Sequence, residues 1–129
     1  MTSKGELIVV RGDQTTADTG QTAGMERLAG VAASTTGAGR IWMGRVVGHP
    51  GMDSGAHHHG EAESAIYIIS GHARVCFGEG YSKCEGVGPG DFVFIPAHLP
   101  HIERNVSDEP VVLIVARAPD NIVVNLEDA

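Results

Sequence analysis

From residue 39 onward the chain is a succession of short apolar runs, each stopped by glycine or proline. RIWMGRVV (40–47) ends at GHPG, SAIYIIS (64–70) at Gly71, and ARVCF (73–77) at GEG. DFVFI (91–95) lies between GPG and Pro96, and VVLIVA (111–116) and IVVNL (122–126) complete the series. Runs rich in β-branched and aromatic residues, bounded by turn formers, read as strands. GELIVV (5–10) reads as an entry strand, and RGDQTTADTGQTAG (11–24) as a polar loop, so that 1–24 form an N-terminal arm. MERLAGVAA (25–33) alone has helical character, and it reads equally as a strand followed by the turn STTGAG. Eighteen glycines are about twice the usual share of roughly 7%. Many short strands with little helix predict an all-β antiparallel sandwich or barrel. No repeat, low-complexity tract or linker divides the 129 residues, so a single domain over 1–129 is expected.

Nine Lys and Arg face sixteen Asp and Glu, a formal charge of −7. That balance argues against nucleic acid and anionic membrane surfaces, which need clustered cations. No run approaches the roughly 18 apolar residues of a membrane span. The start, MTSKGELIVVRGDQ, carries early charges and no signal-type apolar run, so a cytoplasmic location is expected. Cys76 and Cys84 flank the turn-rich FGEGYSK; they are expected as free thiols rather than as a cross-hairpin disulfide. The RGD at 11–13 is read as chance.

Histidine is the unusual residue: there are seven, three of them consecutive. In an extended segment residues i and i+2 share a face. His57 and His59 therefore project together while His58 points away. Glu63 follows close behind, and His101 and Asn105 open a later strand after DFVFI and PAHLP. Two imidazoles from one strand, a carboxylate nearby and a third imidazole from a distant strand suit a mononuclear site for Fe, Mn, Ni, Zn or Cu. His49 and His72 lie beside turns and read as surface residues, and Glu61 as a solvated charge.

In these two clusters the sequence resembles the cupin superfamily. Gly51, His57, His59 and Gly71 follow the family's first motif (residues 51–71). Gly90, Pro96, His101 and Asn105 follow its second (residues 90–105). The resemblance implies a cupin-type jelly roll with a metal deep in one open mouth, held by His57, His59, Glu63 and His101. Counting forward from His59 places the carboxylate at Glu63; counting back from Gly71 places Ser64 there. Opposite faces are at stake, so Glu63 requires a strand bulge at 63–64. His98 stands where the second motif has glycine and is the alternative fourth ligand.

The expected cavity is apolar, drawing on Ile66, Ile68, Phe77, Phe92, Phe94, Trp42 and Met43, and the partner is an apolar or aromatic small molecule. Arg40, Arg45, Arg74, Arg104 and Arg117 look scattered, which disfavours phosphosugars and dicarboxylates. A Lewis-acid metal, zinc ahead of iron, manganese or nickel, would polarise a carbonyl, with His98 as the catalytic base near neutrality. Small cupins of this kind act as aromatic polyketide cyclases, a lyase-type chemistry of antibiotic biosynthesis. An iron-dependent dioxygenase and a non-catalytic binding module are the alternatives. The resemblance also implies a homodimer joined by strand exchange through residues 5–24.

Overall fold

A computed structural model describes residues 5–126 of the chain. Among them, ten strands form two five-stranded sheets. The first sheet holds β1 (Met25–Val31), β2 (Trp42–Gly48), β9 (Val111–Ala118), β4 (Glu63–Ser70) and β7 (Phe92–Ile95), in that order. The second holds β10 (Val124–Asn125), β3 (His57–His58), β8 (His101–Arg104), β5 (Ala73–Phe77) and β6 (Lys83–Val87). Every pairing between them is antiparallel. The one α-helix among the described residues, α1 (Ala33–Thr36), is a single turn in the link from β1 to β2. The ambiguity at 25–33 is thus resolved as strand followed by turn.

Alternation builds the core. β9 buries Val111, Leu113 and Val115; β2 buries Trp42 and Val46; β4 buries Ile66 and Ile68. Each of these side chains stabilises the fold by roughly 1.5–3 kcal/mol through loss of apolar contact with water. Gly44, between Trp42 and Val46, makes room for the indole: a Cβ there would lie 2.5 Å from the Trp42 ring. Gly71 turns β4 into β5 at φ +80°, and a Cβ would run into the Pro110 carbonyl, so only glycine fits this motif position. Asn105 is fully buried, donating to the carbonyls of Gly48 and Glu109 and accepting from Ser107. Its place in the motif is therefore a strap closing the loop after β8.

Several expectations are corrected. Residues 5–10 are no strand; they lie along the surface with Leu7 and Val9 exposed, because no neighbouring backbone among the described residues pairs with them. β6 is a strand that the sequence, with its lysine, glutamate and glycine, hardly advertises. Cys76 and Cys84 are not free thiols: they sit directly opposite in the β5–β6 ladder, with Cα atoms 4.1 Å apart, and form a disulfide. No helix among the described residues is long and apolar enough to cross a membrane.

Candidate metal centre

The ladder between β3 and β8 places His57 opposite His101, and His59 follows two residues after His57 on the same inner face. All three imidazoles are buried, with ring centroids 4.3 to 5.3 Å apart. Each Nδ1 faces a backbone carbonyl: His57 that of Gly55 at 3.1 Å, His59 that of Ile122 at 2.7 Å, His101 that of Leu99 at 2.9 Å. A carbonyl only accepts, so each Nδ1–H donates to it and each Nε2 is turned inward. Three such nitrogens, within 4.8 Å of one another, converge on one point. Carbonyl-oriented imidazoles with the other nitrogen turned inward are the arrangement that metal sites use.

The carboxylate at this point is Glu103. It lies two residues beyond His101 on β8, buried, with Oε2 3.2 Å from His57 Nε2 and 3.5 Å from His101 Nε2. Burial alone would push the Glu103 carboxyl up, but the imidazoles of His101 and His57 outweigh it and hold the group well below the usual range. It is an anion set against two inward imidazole nitrogens, and His101 Nε2 has no hydrogen-bond partner among the described residues. Three converging imidazole nitrogens with a carboxylate oxygen beside them are a donor set that fits a divalent transition metal.

Glu63 does not join the cluster. It is exposed, and the register Glu63↔Ala118, Ser64↔Arg117, Ala65↔Ala116 runs unbroken, so the expected bulge at 63–64 is absent. Period-two geometry then turns Ser64 inward and Glu63 outward. Ser64 accepts a hydrogen bond from Arg117 Nε at 2.7 Å, and Arg117 Nη2 lies 3.0 Å from His59 Nε2. His98 is exposed at φ +63°, which explains the motif's glycine, and its backbone N–H donates to the Gly60 carbonyl. It belongs neither to the imidazole cluster nor to the lining of the apolar cavity beside His101. His49 and His72 are exposed, and His58 is turned away and accepts from the Gly60 N–H.

Burial pushes the His59 imidazole down to about 3, helped by the positive charge of Arg117, so it stays neutral. Burial, then Arg27, lowers Arg117 to about 9, still protonated at neutral pH, with Glu103 pulling the other way. An apolar cavity of about 380 Å³ opens beside His101, walled by Val75, Phe77, Val87, Val93, Phe94, Ile95 and Leu99, with Glu85 at its edge. Of the expected lining, Phe77 and Phe94 are present. Ile66, Ile68 and Trp42 belong to the core, whereas Phe92 and Met43 point outward. Glu103 was findable as the in-phase neighbour of His101, and Arg117 by its phase with the buried Leu113 and Val115 on β9.

The Cupin domain family model matches residues 44–117. Among solved structures, the polyketide cyclase RemF from Streptomyces resistomycificus is similar at a TM-score of 0.76 and 20% identity, over 95% of this chain and 87% of that one. A Klebsiella pneumoniae protein with a double-stranded beta-helix domain is similar at a TM-score of 0.67 and 19% identity, over 84% of this chain and 90% of that one. Bacillus subtilis oxalate decarboxylase is similar at 0.68 and 23%, over 84% of this chain and 29% of that one. No curated protein matches the chain in sequence. Likeness at such identities shows the fold alone, but the family match spans more than half of the chain and contains all three inward histidines. This chain belongs to the cupin domain family.

Proposed function

We propose that the protein is a metal-dependent enzyme acting on an apolar carbonyl compound, by aldol-type cyclisation of a poly-β-keto chain of the kind used in aromatic polyketide biosynthesis. The observation that carries this reading is the convergence of three imidazoles beside the Glu103 carboxylate, with one of them, His101, lining an apolar cavity. His57, His59, His101 and Glu103 would hold the ion, zinc by preference. When bound, the ion supplies Lewis acidity for a carbonyl oxygen.

The chain's own residues do the rest. Phe77, Val93, Ile95 and Leu99 exclude water and give a flexible apolar chain a surface to fold against. His98, expected as the base, has no contact with this cavity. Among its lining residues only Glu85 and His101 titrate, and His101 belongs to the ligand set. Glu85 is therefore the group placed to move a proton, at its carboxylate oxygens. The similarity in shape to RemF, over nearly the whole chain, supports the choice of reaction class. Three imidazoles with one carboxylate also suit iron, which favours a dioxygenase as the second reading. The exposed Leu7 and Val9 of the arm are consistent with the proposed homodimer.

The test is to offer a reactive poly-β-keto substrate to zinc-loaded and metal-free protein, in air and under nitrogen. Cyclised product is expected only with metal and equally in both atmospheres, and Glu85→Gln should slow it by about a hundredfold, the usual scale of a general base. Identical products with and without metal would end the cyclase reading. Oxygen-dependent turnover would favour the dioxygenase.

A further inference from the structure

Two arginines lie inside the sandwich, Arg117 against His59 and Arg27 joined to it through the Gly20 carbonyl and Asn121. Arg27 alternates in phase with Met25 and Ala29 on β1 and is fully buried. Its Nη1 donates to Thr22 Oγ1 at 2.8 Å and to the Gly20 carbonyl at 3.3 Å. Its Nε and Nη2 are buried with no partner among the described residues. Those two N–H groups point the same way along one edge of the guanidinium, the edge that meets both oxygens of a carboxylate. A buried cation with an empty fork is an arrangement that folds avoid unless something fills it.

Arg117 is built into the same frame. The Gly20 carbonyl that accepts from Arg27 also accepts from Asn121 Nδ2 at 3.1 Å, and Asn121 Oδ1 accepts from Arg117 Nη1 at 2.7 Å. Trp42, whose ring centroid lies 5.9 Å from the Arg117 guanidinium carbon, likewise leaves its buried Nε1 without a partner among the described residues. Against these two cations, Glu103 is the one buried carboxylate among the described residues, and it already faces His57 and His101. His59 Nε2 has a single lone pair, so it cannot serve both Arg117 and a metal. A metal held by the three imidazoles frees Arg117 Nη2 and adds positive charge to an interior that already has a surplus.

We propose that the Nε–Nη2 edge of Arg27 binds the carboxylate of the substrate, so that the site takes an apolar keto acid rather than a neutral carbonyl compound. This rests on the metal-dependent reading above and narrows its substrate class. It also replaces the expectation from sequence that the arginines are scattered and unavailable to an acid.

The experiment measures binding of phenylpyruvate and of its neutral isostere phenylpyruvamide by calorimetry, with zinc-loaded and metal-free protein. Phenylpyruvate is expected to bind about tenfold to a hundredfold tighter than the amide, the scale of a charge-assisted bidentate contact. Arg27→Gln should abolish that difference while zinc content stays at the level of the unaltered protein. Arg27→Lys should restore part of it, and Arg45→Gln, outward on β2, should leave it intact. Equal binding of acid and amide by the unaltered protein would overturn the proposal, even if Arg27→Gln fails to fold. So would a folded Arg27→Gln protein that keeps the preference. Because binding is read with and without zinc, loss of metal-dependent turnover would sink the cyclase reading and leave the carboxylate preference to be judged separately.

Discussion

His101→Ala is expected to lower the affinity of the protein for zinc by more than about a hundredfold. An open site relies on few protein ligands, and deleting one costs more than the 10- to 100-fold typical of residues that merely orient a ligand. The variant also leaves Glu103 facing one imidazole instead of two. Competition with a chromophoric chelator measures the change directly. Outward His72→Ala, exposed beside the β4–β5 turn, should bind zinc as the unaltered protein does. Full zinc affinity in His101→Ala would remove the residue from the ligand set.

The metal-free protein should lose stability steeply as the pH falls from about 6.5 towards 4. The sign follows from the two buried groups. His59 is pushed down to about 3 by burial and by Arg117, whereas in the unfolded chain it titrates near 6.5. Between those values the unfolded state binds the proton and the folded state does not, so acid favours unfolding by up to about 1.4 kcal/mol per pH unit per group. Glu103, despite the burial that would raise it, is held well below the usual carboxylate range by His101 and His57, and adds a loss of the same sign below about 4.5. Both contributions are fully present at neutral pH. Urea unfolding followed at pH 7, 6, 5 and 4 checks this, and a midpoint unchanged between pH 7 and 5 would contradict it.

Strands whose apolar residues alternate or cluster were legible in the sequence: β2, β4, β5, β7 and β9 all fall within a residue or two of the expected runs. Residues 5–10 look like a strand by composition, yet pairing needs a neighbour, and Leu7 and Val9 have none among the described residues. β6 fails in the opposite way: KCEGV has little apolar character because it lies at a sheet edge, half open to solvent. The imidazoles were legible from spacing, since i and i+2 share a face and both motifs fix where the turns fall. The carboxylate was not, because motif counting led to Glu63, and register, not counting, decides which face a strand residue takes. Arg27 and Arg117 carry a signal that charge alone hides: each sits in phase with buried neighbours on its strand, so the pleat turns it inward.

Whether His57, His59, His101 and Glu103 hold one divalent transition-metal ion is tested most directly by X-ray absorption at the metal edge, on metal-loaded protein purified without a histidine tag. One ion per chain is expected, with imidazole scattering and a nitrogen or oxygen shell at about 2.0–2.2 Å. Glu103→Gln should alter that shell, and Glu63→Gln should leave it unchanged. A sulfur shell, absence of imidazole scattering, or a spectrum that responds to Glu63→Gln and not to Glu103→Gln would contradict this ligand set.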